Sequence, residues 1–295
     1  MRYIYSEQDN PMANDYYYEA SIETHDNFPI IPARTHNFYE IYIYDTGSVR
    51  LSVDDIIYDV KKGDIVVIPP YTIHQLLPAE QYDNSQPYKR LLLYISDGCL
   101  KSFQFNEHGL LNTLQQAAKE KRYLFNISNS DTYTTMRQCV ENLYTAQSDT
   151  TAYDTELLKR AYILIFMSLL CRNIKEEFTP QGVLHINPLV EKILSYINSN
   201  YTEDISMDYL SEHFYVNRST LTKEFKNQTA QTIHSYVTMK RINAAKQEMA
   251  NGTPPSQVFL LTGFKEYSTF YRTFLKTEGI SPKTFYQNCH SSDLT

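Results

Sequence analysis

Two groups of residues in this 295-residue chain have types and spacings that can do chemistry. The first is Arg34-Thr-His36-Asn-Phe-Tyr-Glu40, with His74 further on. Two imidazoles and one carboxylate can hold a divalent metal as a facial triad. With Arg34 they can instead hydrogen-bond the hydroxyls or carboxylate of a small molecule. Positions 34, 36, 40, 42 and 44 share parity and project to one face of a strand. On that face Tyr42 and Tyr44 offer flat rings with polar tips, suited to stacking a sugar. The second group is an internal repeat. Ser219-Thr-Leu-Thr-Lys-Glu-Phe225 returns as Ser268-Thr-Phe-Tyr-Arg-Thr-Phe274, 49 residues on, and the match extends to Tyr236 and Phe285. In each copy apolar anchors four apart (Leu221 and Phe225, Phe270 and Phe274) fix one face of a helix to a core. The opposite face carries Arg218, Ser219, Thr222, Lys223 and Lys226 in the first copy. In the second it carries Lys265, Tyr267, Ser268, Thr269, Tyr271, Arg272 and Lys276. A helix docked in this way offers its outward side chains to a DNA major groove. A plain bundle with a solvated face is the competing reading, and cations facing outward twice argue against it.

Residues 36–95 supply the elements for the first group. His36–Tyr44, Val49–Val53, Ile56–Val60, Asp64–Ile68 and Leu91–Ile95 read as short strands. Asp45-Thr-Gly47, Lys62-Gly63 and Pro69-Pro70 punctuate them, which predicts an antiparallel barrel or sandwich. From about residue 100 the period becomes helical. Thr132–Ala146 has an apolar stripe of Met136, Val140, Leu143 and Tyr144; Thr155–Ile174 has one of Leu157, Leu158, Ala161, Ile165 and Leu169. Gln147–Thr151 turns the pair into a hairpin. The second helix is apolar around most of its circumference, so one face is expected on the barrel and another on a partner chain. Glu176–Asn187, with Pro180 and Gly182, reads as a linker. Everything from Pro188 onward reads as helix, its first stripe being Leu189, Ile193, Tyr196 and Ile197. Each repeat copy is then a helix, a tight turn and a second helix. Asn217 caps the first recognition helix, and a long helix holding Arg241–Lys246 sets the spacing, about 34–36 Å for successive major-groove faces.

The formal net charge of -7 hides an asymmetry. Residues 1–187 carry 16 Lys and Arg against 24 Asp and Glu; residues 188–295 carry 11 against 10. The acidic surplus therefore belongs to the first part and does not argue against DNA binding by the second. The start of the sequence shows no cationic stretch leading into an apolar run. The most apolar segment, Ala161–Cys171, is far short of the roughly 20 residues a membrane span needs. Four scattered cysteines imply neither a zinc site nor a disulfide framework, and a reducing cytoplasmic location is expected. Tyr is abundant at 26 residues and Trp is absent.

Residues 188–287 resemble the DNA-binding domain of the AraC/XylS-type transcription regulators. The matching residues are Leu210-Ser-Glu-His-Phe-Tyr-Val-Asn-Arg-Ser-Thr-Leu221, Arg241-Ile242 with Ala245-Lys246, Gly263-Phe264, and Gly279-Ile-Ser-Pro282 with Tyr286. The resemblance implies seven helices, two helix-turn-helix units and promoter binding. It places base-edge contacts on Ser219, Thr222 and Lys223, and on Tyr267, Ser268, Thr269 and Arg272, with Arg218 beside them. Ser211 and a bulky Phe259 stand where a small residue is usual, Ala230 where glycine is usual, and Gln287 where arginine is usual; Phe259 is expected to distort the second unit. The strands resemble a cupin barrel: Arg34-Thr-His36-x3-Glu40 with Gly47, then Gly63-x5-Pro69 and His74, with Tyr71 in a glycine position. Arg34 stands where the cupin motif has a metal-binding histidine. Since Arg does not deprotonate, its charge opposes a cation there. No metal, no cofactor and no enzymatic activity are therefore expected. In the resembling regulators such a barrel binds a small effector, often a sugar.

These readings combine into an α+β chain: an N-terminal cupin-like antiparallel β-barrel with a helical hairpin, then an all-α domain with two helix-turn-helix motifs. The boundaries are 1–100 for the effector-binding barrel, 101–178 for the helical dimerisation segment, 179–187 for the linker and 188–295 for the DNA-binding domain. The expected function is transcription regulation by a cytoplasmic homodimer without membrane contact. Its partners are promoter DNA, RNA polymerase and a sugar-like effector held by Arg34, His36, Glu40, Tyr42, Tyr44 and His74. Two other readings stay open on the residues alone: a metal-dependent cupin enzyme, and a constitutive regulator whose barrel only dimerises.

Overall fold

Strand β2 (Tyr39–Thr46) organises the first part of the chain because both of its faces are buried. In the computed structural model the described residues are 18–25, 31, 33–47, 49–79, 87–103, 109–127, 130–147, 153–176 and 187–290. They divide into two units, 18–176 and 187–290, and the expected linker lies outside them except for Asn187. In the first unit β2 is flanked by β5 (Asp64–Ile68) and β7 (Tyr88–Ile95), with β1 (Tyr18–His25) and β8 (Leu124–Asn126) outermost. A second sheet runs β4 (Ile56–Val60), β3 (Val49–Val53), β6 (His74–Pro78), and every ladder in both sheets is antiparallel.

The expected barrel is thus laid out as two sheets that share no ladder among the described residues. The chain changes sheet after β5 because Pro69 and Pro70 have no N–H to donate, and Tyr71 turns with φ +59°. Tyr39, Ile41 and Ile43 of β2 face an apolar core with Ile65, Val67, Leu91, Leu93 and Ile95. Helices α3 (Ser130–Ala146) and α4 (Tyr153–Glu176) cover that core, while α1 (Asp97–Ser102) and α2 (Leu110–Lys119) complete the layer. Glu40, Tyr42 and Tyr44 point the other way, between the sheets. The register puts Tyr94, Leu92 and Arg90 of β7 on that same side.

The hairpin forms as expected, but its inward stripe does not match on α4. Ile163, Phe166, Met167, Leu170, Cys171 and Ile174 are buried, whereas Leu157, Leu158 and Ile165 are 67%, 48% and 45% exposed. A helix apolar all round has no spacing signal that singles out the inward face. On α3 Met136, Val140 and Leu143 are buried and Tyr144 is exposed.

The second unit has seven described helices: α5 (Pro188–Asn200), α6 (Met207–His213), α7 (Arg218–Thr229), α8 (Ile233–Ala250), α9 (Pro255–Leu261), α10 (Tyr267–Glu278) and α11 (Pro282–His290). Asn187 Oδ1 accepts from Leu189 N and starts α5. Its buried stripe is Val190, Ile193, Leu194 and Ile197, while Leu189 and Tyr196 are half-buried at its margin. Among the described residues no helix is long and apolar enough to cross a membrane, and none of the four cysteines forms a disulfide.

Candidate functional site

The DNA-reading face is built twice. Leu221 and Phe225 of α7, and Phe270 and Phe274 of α10, are fully buried. With those anchors inside, Arg218, Ser219, Thr222, Lys223 and Lys226 are exposed on α7, and Tyr267, Ser268, Thr269, Tyr271, Arg272 and Lys276 on α10. Asn217 Oδ1 accepts from Thr220 N at 2.8 Å, the expected cap. Arg218 pairs with Asp208 of α6 across the turn, both largely exposed, a contact of little energetic weight. Thr222 donates to the Arg218 carbonyl and Arg272 to the Ser268 carbonyl, so both side chains rest on their own helices. The expected distortion by Phe259 is absent: it packs against the second-unit core and meets Tyr267 edge-on at 5.6 Å.

The two units of this face are fixed relative to one another. Arg241 of α8 donates to the carbonyls of Tyr201 (2.7 Å) and Glu203 (2.6 Å). Lys265 pairs with Asp204 at 2.7 Å. At Gly263, φ is +83° and an added Cβ would lie 2.7 Å from the Thr202 backbone, so only glycine fits. A groove of about 1130 Å³ runs between α8 and α10, with Ser235, Thr238, Arg272 and Lys276 on its walls.

Between the two sheets of the first unit lies the second candidate site. Glu40, wholly buried, accepts from Arg34 Nη2 at 2.8 Å and faces His36 Nε2 at 2.9 Å and His74 Nε2 at 3.0 Å. Arg34 also donates from Nε to His74 Nε2 at 3.0 Å and from Nη2 to the Tyr42 hydroxyl at 3.3 Å. The Arg34–His74 backbone bridge brings the two together. Burial pushes His74 down to about 4, against the pull of Glu40, so its ring is neutral near pH 7; Nδ1–H donates to the Thr72 carbonyl. Burial alone would raise Glu40, but the Arg34 guanidinium, with His36 beside it, outweighs that and holds the carboxyl well below the usual carboxylate range. The His36, Glu40 and His74 ligand atoms lie within 4.8 Å of one another, close enough to share a metal. Arg34 donates into two of those three groups, so the set already holds a cation.

Five of the six predicted pocket residues therefore meet: Arg34, His36, Glu40, Tyr42 and His74. Tyr44 is turned away, its hydroxyl donating to the Gly47 carbonyl. The flat face expected of Tyr42 is partly occupied, because the Arg90 guanidinium lies over it at 4.7 Å. Arg90 is the residue that sequence reasoning missed. It is 2% exposed and pairs with Glu23 of β1. The signal was its even spacing from Tyr88, Leu92 and Tyr94, hidden because the strand was started at Leu91.

Comparison with known proteins bears on both sites. Residues 16–157 match the AraC-like ligand binding domain family, and residues 210–288 match a helix-turn-helix domain family. The uncharacterized HTH-type transcriptional regulator YdiP of Escherichia coli (strain K12) is 24% identical over 263 residues, 86% of this chain and 80% of its own. The raffinose operon transcriptional regulatory protein RafR of Pediococcus pentosaceus is 25% identical over 234 residues, 77% of this chain and 76% of its own. The melibiose operon regulatory protein of Escherichia coli (strain K12) is 29% identical over 103 residues, 34% of each chain. Among solved structures, ToxT from Vibrio cholerae O395 aligns over 92% of this chain and 98% of its own, with 15% identity and a TM-score of 0.37.

Proposed function

Because the chain belongs to the AraC-type transcription regulators, we propose that it reads promoter DNA with α7 and α10 under the control of a carbohydrate effector bound between its two sheets. The observation that carries the DNA half is the pair of exposed polar faces over four fully buried anchors. Base edges meet Ser219, Thr222 and Lys223 from α7, and Tyr267, Ser268, Thr269 and Arg272 from α10, with Arg218 at the rim. Lys223→Ala and Arg272→Ala should each weaken specific binding by about 1–3 kcal/mol. Mobility shifts on the DNA upstream of the regulated genes test this, and wild-type affinity in both variants refutes it.

A carbohydrate effector is supported by Arg34, Glu40 and Tyr42 meeting in one buried group, and by regulators of raffinose and melibiose operons among the relatives. Two chains pair through the outward face of α4, and the promoter-bound dimer engages RNA polymerase. Effector occupancy then governs which DNA half-sites the dimer bridges. The Arg34–Glu40–histidine group is satisfied without any ligand, which favours a second reading in which the sheets serve only as a dimerising scaffold. Induction that survives Tyr42→Phe combined with Glu40→Gln supports the scaffold; induction abolished with dimerisation intact supports the sensor.

A further inference from the structure

Arg90 is a fully buried cation whose donors are incompletely used. Its Nε and Nη2 both donate to the same oxygen of Glu23, Oε2, at 2.9 and 2.6 Å. The parallel two-oxygen fork that an arginine makes with a carboxylate is therefore not formed. Its flat faces lie near the rings of Tyr42 and Tyr88, at 4.7 and 5.6 Å. What remains is the Nη1 edge, which is fully buried and meets no acceptor among the described residues. A guanidinium stays charged at every physiological pH, and a buried charged donor without a partner is costly. Arg34, by contrast, has hydrogen-bond partners on both His74 and Glu40.

A partly exposed rim lies beside Arg90. Arg90 lies opposite Glu23 on β1, the outermost strand of its sheet. There the Glu23 and His25 side chains are 30% and 20% exposed, and that of Arg34 is 23% exposed. A molecule entering at this rim would have to displace Glu23 to reach the guanidinium, with Tyr42 and Arg34 near enough to take its hydroxyls. Glu23 keeps its charge solvated if it is moved aside, whereas Arg90 has no such recourse.

We infer that the effector carries a carboxylate seated on the Nη1 edge of Arg90, which makes it a sugar acid (an aldonic or uronic acid) rather than a neutral sugar. This rests on the reading of the inter-sheet space as a carbohydrate site. A hydroxyl oxygen satisfies one N–H weakly; a carboxylate takes both donors of an Nη1–Nη2 fork with charge assistance in a low-dielectric setting.

The test is isothermal titration of the full-length protein with matched pairs: glucuronate and glucose, galacturonate and galactose, gluconate and glucitol, at constant ionic strength. At least one acid should bind about tenfold or more tightly than its neutral counterpart. Arg90→Lys, which keeps the charge and removes the fork, should abolish that preference. Glu23→Gln, a change at a partly exposed rim position, should tighten acid binding several-fold and leave neutral sugars unaffected. A neutral sugar binding as tightly as its acid overturns the inference and leaves the carbohydrate site standing. If no member of any pair binds, the carbohydrate reading falls with it. Should Arg90→Lys fail to fold, Glu23→Gln decides alone, and unchanged or weaker acid binding overturns the assignment.

Discussion

His74 shows how one side chain sets a condition on the whole first unit. Burial holds its ring neutral down to about 4, where an unfolded histidine protonates near its ordinary 6.5. Between those values the unfolded chain binds more protons than the folded one, so stability rises with pH across that window and is lost as pH falls through it. The loss amounts to up to about 3 kcal/mol. Glu40, whose carboxyl is held low, adds stability that persists above the unfolded carboxylate range and disappears only at still lower pH. The melting midpoint of the first unit should therefore drop steeply from pH 6.5 toward 4. His74→Asn, which keeps a donor for the Thr72 carbonyl, should flatten that drop; an identical pH profile in the variant would show the cause lies elsewhere. The meeting of Arg34, His36, Glu40 and His74 was legible in the sequence because strand parity and two motifs converged on it. Arg90 was not, because the strand that became β7 was begun just past it, at Leu91, and the alternating segment Tyr18–His25 that carries its partner Glu23 was not read as a strand.

At the scale of elements, helix ends were more legible than helix faces. Asn217, Pro188 and the repeat fixed the starts of α7, α5 and α10 because capping is local chemistry. Which face of α4 turns inward depends on the sheet beneath it; on α5 Ile193 and Ile197 are buried as read, while Val190 and Leu194 take the places expected of Leu189 and Tyr196. The end of α7 offers a test of local strain. Ala230 adopts a left-handed conformation, φ +55°, while the second copy has Gly279 at φ +76° in the same role. A Cβ in that region costs about 1–2 kcal/mol. Ala230→Gly should raise the stability of the second unit by roughly 1 kcal/mol in urea unfolding, with DNA affinity unchanged. A fall in stability would mean that the Ala230 methyl packs well enough to outweigh the strain.

The whole molecule combines a twofold reading head with an exposed apolar helix face, and the proposed dimer would join the two. Leu157, Leu158 and Ile165 present apolar surface that water does not favour. A second copy of the chain would cover it and bring a second pair of recognition helices to the DNA. Leu158→Asp with Ile165→Asp should give a monomer by sedimentation, with the fold retained because neither side chain belongs to the buried core. Binding to a full operator should fall by orders of magnitude while binding to an isolated half-site stays near wild type. A dimer in the double variant would move the interface to another surface. Charge distribution then decides how such a dimer finds its site. With residues 188–295 near neutrality, the proposed affinity would rest on base contacts and on pairing rather than on a broad basic field. The recognition helices separate these contributions along their length. On the proposed reading, Lys223, nearer the helix start, reaches base edges, and Lys226, almost a turn further on, meets the backbone. Lys226→Ala should weaken binding uniformly across DNA sequences and make the slope of log affinity against log salt shallower by about 1, the value for a single neutralised phosphate. Lys223→Ala should relax discrimination at one base position with its effect persisting at high salt. The two variants compared across salt concentrations distinguish a sequence-reading lysine from an anchoring one; equal slopes in both, with discrimination intact, would assign both lysines to the backbone and leave sequence reading to Ser219, Thr222 and the second helix.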